Sequence, residues 1–157
     1  MRPSKFAPTI SHMPDTEPIN ESSSAVQAHL TIEQGVIQRM AENSSSCKAW
    51  CITLVSAILV VIADKENPTL AYLAIVPIIL FFALDAYYLG LERMFRNSYR
   101  AFLKKLHEKK ILPDDLFVIK PTGEQFTIFM ESMISFSILP FYAGLLFTVL
   151  IVRFVVI

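Results

Sequence analysis

The chain has 157 residues, 54% of them apolar, and its 14 basic and 14 acidic side chains cancel to a formal net charge of zero. One domain's length carrying that much apolar surface cannot hide it inside itself, so the composition excludes an ordinary soluble globule and predicts an all-α membrane protein. The neutral balance conceals a local asymmetry: seven cations fall between positions 93 and 110, with Glu92 and Glu108 the only acids beside them.

Residues 1–27 are rich in Pro, Ser, Thr and Asn and poor in large apolar side chains, too few to offset the entropy of ordering. They are expected to form a disordered cytoplasmic tail. The start of the chain has neither a continuous apolar run nor a small-residue cleavage site, and does not read as a secretory signal peptide. From Leu30 onward Leu30, Ile32, Val36, Ile37 and Met40 recur at near-helical spacing among Glu33, Gln34, Gln38, Arg39 and Glu42. This pattern predicts an amphipathic lead-in helix with Thr31 as its cap. The apolar residues 49–63 are short for a span of about twenty residues, so the crossing requires the lead-in helix to run into them unbroken.

A polar turn follows at Asp64, Lys65, Glu66, Asn67 and Pro68, and residues 70–91 make a second span with Pro77 as its kink point. That helix is expected to continue through Met94, Phe95, Phe102, Leu103 and Leu106, set among the cations, and to stop at Pro113. Residues 113–125 read as a polar connector and 126–133 as an interfacial helix. Residues 134–157 read as a third crossing despite Pro140, with a re-entrant or surface-lying segment as the alternative. The expected architecture is a transmembrane helical hairpin with cytoplasmic helical extensions, spanning residues 28–112, plus a third C-terminal transmembrane helix.

Cations near the ends of the spans set the orientation. The turn holds only Lys65 and the segment after the second span holds seven cations, so the positive-inside rule places the N-terminus and the basic segment in the cytoplasm. A third crossing then sends the C-terminus to the periplasm, where Arg153 snorkels to headgroups.

With the turn centred at Glu66, antiparallel pairing sets Asp85 level with Cys47 and Glu92 level with Met40. At about 100° per residue, Arg39, Asn43, Ser46, Trp50 and Ala57 share one face of the first helix, and Asp85, Tyr88, Glu92 and Tyr99 one face of the second. These faces define a candidate polar seam of Arg39, Asn43, Ser46, Asp85, Tyr88 and Glu92, with Lys48 turned away to snorkel. Ala83, Ala86 and Gly90 form a small-residue face suited to the third helix or a second subunit. Asp85 carries the sharpest functional reading, since an ionisable group inside a span marks an ion path or an assembly contact.

Other chemistry is thin. Cys47 and Cys51 fall on neighbouring turns and read as packing, while His12, His29 and His107 are too scattered for a metal cluster. With no phosphate-cradling Gly-rich loop, nucleophile motif or paired catalytic carboxylates, the chain is expected not to be an enzyme and to carry no cofactor and no metal. The basic face of Arg93, Arg96, Arg100, Lys104, Lys105, Lys109 and Lys110 reads first as a juxtamembrane determinant lying on anionic headgroups. A cytoplasmic regulatory protein or signal is a further partner, a homo-oligomer is expected, and nucleic acid is disfavoured.

Two stretches, VIQRMAENSSSCKAWCITLVSA at 36–57 and FFALDAYYLGLERMFRNSY at 81–99, resemble a family of small bacterial multi-pass membrane proteins, mostly of unassigned function. Arg39, Asn43, Ser44, Lys48, Trp50, Asp85, Tyr87, Tyr88, Glu92, Arg93 and Arg96 match its pattern, and Gly90 departs from the arginine of that place. Proteins of this kind look similar to effectors of bacterial anti-phage defence. The resemblance implies a bacterial inner-membrane effector that assembles on a cytoplasmic trigger and compromises the membrane. A scaffold subunit of a membrane complex, an ion or proton pathway through Asp85, and a holin-like lysis protein are the competing expectations.

Overall fold

A computed structural model describes residues 19–65 and 68–156, and these are all-helical, with no strand among them. The elements are α1 (Ser24–Lys65), a 3-10 segment (Pro68–Ala74), α2 (Ile75–His107), a 3-10 turn (Pro113–Asp115), α3 (Gln125–Met133) and α4 (Leu139–Ile151). A π-helical turn at Val152–Val156 continues α4. Most of the tail expected at 1–27, together with His12, Glu66, Asn67 and the last residue of the expected third span, lies outside the described residues.

α1 contains no proline and a single glycine, so nothing in its 42 residues interrupts the ladder, and it extends about 60 Å. It begins earlier than the periodicity suggested. Asn20 makes the preceding turn, its Oδ1 accepting from Ser22 N at 3.0 Å and from Ser22 Oγ at 2.7 Å. Thr31 therefore lies inside the helix, its hydroxyl donating back to the Gln27 carbonyl at 2.8 Å, and is not a cap. Residues 19–27 are ordered for a physical reason: Val26, fully buried, packs with Phe102 and Leu106 of α2.

Pro77 falls in the first turn of α2 and does not kink its middle. Its ring crowds the carbonyl four residues back and it has no N–H to donate, so the path runs as 3-10 helix up to Ala74 and as α-helix from Ile75. α1 and α2 lie antiparallel, joined by Gln34 Nε2 donating to Tyr99 Oη at 3.0 Å and, further along, by Cys51 Sγ against the Pro77 carbonyl at 3.9 Å.

α3 and α4 run back along α2 as one broken path. α3 lies over Gly90, where an added Cβ would sit 3.7 Å from Phe129 Cα, so the backbones approach closely at a residue without a side chain. α4 then meets Phe81 through the Tyr142 hydroxyl, which donates to the Phe81 carbonyl at 3.1 Å. It ends with Arg153 over the Tyr72 ring at 5.8 Å. Of the small-residue face, Ala86 and Gly90 are buried beneath other elements, whereas Ala83 is exposed.

Two cores result. One joins Cys51, Val55, Ile62, Ile78, Ile138 and Tyr142, and the other gathers Val26, Phe102 and Leu106 with Leu30 and Leu116 at the opposite end of the pair. The outward faces beside the first core are apolar as well: Val60, Val61, Val76, Ile79 and Leu80 are each more than half exposed. Two helical stretches, Ser24–Lys65 and Thr69–His107, are long and apolar enough to cross a membrane, and Leu139–Phe154 is a shorter apolar helix.

Candidate functional site

Asp85 is the one fully buried acid in the apolar half of α2, with no exposed surface. Ser44 Oγ donates to its Oδ1 at 2.5 Å and Lys48 Nζ stands 2.6 Å from its Oδ2, while Lys48 also reaches Ser44 Oγ at 3.5 Å, the outer limit of a hydrogen bond. The three side chains close a small polar knot between helices. Ser44 and Lys48 are one turn apart on α1, so both point at the same height of α2. Tyr142 of α4 completes the surroundings. Its hydroxyl bonds to the carbonyl one turn before Asp85 and lies within electrostatic reach of the carboxylate.

A carboxylate without water is tolerable only while its partners stay in place: the ammonium supplies the opposite charge and the hydroxyl a further donor. Beyond Asp85, toward the Pro68–Ala74 end, the space between α1 and α2 is filled by Cys51, Val55, Ile62, Ala74 and Ile78. A single copy of the chain therefore offers the charge pair no polar route through that half.

The depth expected for Asp85 agrees with its partners, but the face of α1 does not. The residues Arg39, Asn43, Ser46 and Trp50 suggested one stripe; the buried stripe is Glu33, Ser44, Cys47, Cys51, Val55 and Ile62, about 120° round the helix. Small and apolar side chains let α1 approach α2 closely, whereas the indole of Trp50, 62% exposed, would hold the helices apart. Ser46 and Arg39 are exposed and Asn43 is half-buried. Lys48, expected to snorkel, is drawn inward to 21% exposure by the carboxylate. Glu92 pairs with Arg96 on its own helix at 2.6 Å rather than with Arg39, and Tyr88, half-buried, packs edge-on to Tyr87.

The basic segment is less free than its composition suggests. Arg93 donates to Ser135 Oγ at 3.2 Å, Arg96 pairs with Glu92, Lys105 with Asp115 at 2.7 Å, and Lys110 with Glu108 at 2.7 Å. Arg100, Lys104 and Lys109 remain exposed and form no ion pair among the described residues. Lys109 adopts a left-handed backbone, φ 56°, where α2 ends.

A second buried pair of ionisable side chains was not apparent from the sequence. His29 and Glu33 are each 1% exposed, one turn apart on α1, with His29 Nε2 3.5 Å from Glu33 Oε2. His29 Nδ1 accepts the Phe117 N–H at 2.9 Å, which fixes that nitrogen as the unprotonated one and turns the N–H of Nε2 toward the carboxylate. The imidazole also stacks on Phe102, centroids 4.1 Å apart. Phe117 holds a left-handed backbone, φ 62°, a conformation disfavoured for a bulky side chain and maintained here by this contact. The pair's signal in the sequence is only that a His and a Glu at i, i+4 interrupt an otherwise amphipathic stripe.

No family model, no curated protein and no solved structure matches the chain.

Proposed function

We propose that the chain is a non-catalytic multi-pass protein of the bacterial inner membrane, and that the bundle described above is the closed form of a membrane-permeabilising effector. The observation that carries this reading is Asp85, wholly buried in an apolar helix and held by Ser44 and Lys48 of the neighbouring one. Inside a bilayer such a pair is costly and marks function by default. Separating its members would leave two charges that require water, so a rearrangement that parts α1 from α2 during assembly hydrates the site. In the closed chain the apolar packing beyond Asp85 blocks ions.

The membrane reading is supported by the two long apolar helices and by their exposed apolar flanks. The path from Leu139 through the π-helical turn is about 27 Å long at 1.5 Å per residue, close to the roughly 30 Å of a hydrocarbon core, and this favours a third crossing. The cations after position 92 support an orientation with the N-terminus and the basic segment in the cytoplasm and, given a third crossing, the C-terminus in the periplasm. Residues 36–57 and 81–99 resemble a family of small bacterial membrane proteins mostly of unassigned function, and the architectural likeness of such proteins to effectors of phage defence suggests the setting, growth arrest on a cytoplasmic trigger.

One observation favours a second reading, a scaffold subunit: Asp85 finds a cation and a hydrogen-bond donor within one chain, as structural ion pairs do. Expression from a tight promoter with a voltage-sensitive dye separates the two. An effector depolarises the cell when it assembles, and replacing Lys48 and Asp85 together by Met and Leu suppresses this. A scaffold leaves the membrane polarised in both forms.

A further inference from the structure

Outside the apolar half, the connector folds back over α2 and encloses a cavity of about 240 Å³. Three contacts hold this strap. Lys105 Nζ donates to Asp115 Oδ1 at 2.7 Å, Phe117 N to His29 Nδ1 at 2.9 Å, and Thr122 N to the Met94 carbonyl at 3.3 Å. Beneath it Phe102 and His29 form an aromatic floor, and Ser98, Lys105, Lys120 and Thr122 line the walls, the last three exposed.

The donors in this cavity outnumber the acceptors they have. Among the described residues Lys120 has no ion pair, and neither Ser98 Oγ nor Thr122 Oγ1 has a hydrogen-bond partner. Lys105 uses one of its three ammonium protons on Asp115 and has two left. Asp115 takes the Lys105 ammonium on one oxygen and the Leu112 N–H on the other at 3.0 Å. Of the two acids in the lining, Asp115 is paired with Lys105, and Asp114, at the exposed rim, forms no ion pair among the described residues and opposes an anion. Free hydroxyls and two ammonium groups lining one small cavity can donate together to the acceptor oxygens of one ligand, and the volume falls below the roughly 300 Å³ at which drug-sized ligands are held.

We propose that this cavity is a binding site for a small soluble oxyanion of the phosphate or phosphomonoester class, held between Lys105 and Ser98 of α2 and Lys120 and Thr122 of the connector. The cavity begins about 20 Å along α2 from Asp85 and about 10 Å beyond the end of the apolar run at Leu91, on the side of the basic segment, where Lys120 and Thr122 are exposed. An occupant bridges α2 to the connector and so fastens the strap that leads into α3. The site stands independently of the membrane-effector reading.

The test is hydrogen exchange of the full chain in phosphatidylcholine nanodiscs, titrated with inorganic phosphate against sodium chloride at matched ionic strength. Phosphate is expected to protect residues 113–122 saturably. Lys120→Ala and Thr122→Val are expected each to weaken the effect, the lysine by about tenfold or more, as loss of a charge-assisted hydrogen bond dictates. Lys109→Ala, an exposed cation outside the cavity, is expected to leave it unchanged. The proposal is overturned by protection that fails to saturate, by equal protection in chloride, or by equal loss in Lys109→Ala. Protection by phosphatidylglycerol discs without phosphate would assign the chemistry to a lipid headgroup and overturn the soluble ligand.

Discussion

Among the described residues two buried pairs of ionisable side chains do opposite things. Lys48 and Asp85 link two helices inside an apolar half, where Ser44 and Tyr142 are the polar side chains beside them. His29 and Glu33 sit one turn apart on a single helix, and the imidazole's other nitrogen reaches out to the connector at Phe117. The first pair sets how α1 and α2 meet; the second secures a loop. Burial alone therefore does not define a role. What matters is which elements a pair joins and what surrounds it.

The largest effect is expected at the first pair. Lys48→Met leaves the Asp85 carboxylate buried without its cation and should cost about 3–5 kcal/mol, whereas Lys48→Met with Asp85→Leu should be close to neutral or stabilising, because an apolar pair of similar volume needs no solvation. A double-mutant cycle of unfolding in detergent reads the difference. Equal losses in the single and double variants would show that the helices are held by packing at that height and not by the pair.

The next effect is steric and tests how α3 is seated. Gly90→Ala places its Cβ in ordinary contact with α3 and should change stability by no more than about 1 kcal/mol. Gly90→Leu should cost about 1–3 kcal/mol by forcing α3 away. Exchange protection across 125–133 is the corresponding readout. Protection unchanged in Gly90→Leu would mean that α3 does not depend on this approach.

In the other half, Gly123→Ala should cost about 1–2 kcal/mol. The residue sits at φ 130°, where a side chain is strained, and its Cβ would stand 2.5 Å from the Ile128 side-chain tip. The tip can swing aside, so strain is the larger part. A thermal melt of the variant checks the size.

The smallest effect is a pH dependence. The Lys105 ammonium, and then the Leu112 N–H, hold the Asp115 carboxyl below the usual carboxylate range. A depressed carboxyl contributes its stability above the unfolded-state value and loses it as pH falls through the folded one. The connector should therefore loosen only in acid, at and below the ordinary carboxylate range, as read by amide exchange near residue 115. Asp115→Asn should remove that component. A connector that loosens between pH 5 and 7 would point to a different group.

Much of the helical order was legible in the sequence, because long runs without proline and an apolar excess leave few alternatives. Asp85 stood out for the same reason: a lone acid in the apolar stretch FFALDAYYLG has no polar neighbour to obscure it. Its depth was legible too, since a short turn fixes the register of a hairpin. Its partners were not, because α1 is polar on more than one face in 39–50, and polarity was a poorer guide to the packed face than the small side chains of Ser44, Cys47 and Cys51. The early start of α1 depended on a tertiary contact, Val26 on Phe102 and Leu106, that local composition does not record. His29 escaped notice because its partner Phe117 N–H is a backbone group 88 positions away, invisible to any reading of side-chain spacing.

The most direct test of the central claim is the membrane potential of cells expressing the wild type, beside cells expressing Lys48→Met with Asp85→Leu at equal inner-membrane levels. The account predicts that the wild type depolarises the membrane and that the apolar pair, folded and inserted, leaves it polarised. Depolarisation by both forms alike, or by neither, would contradict the assignment of permeability to the buried charge pair.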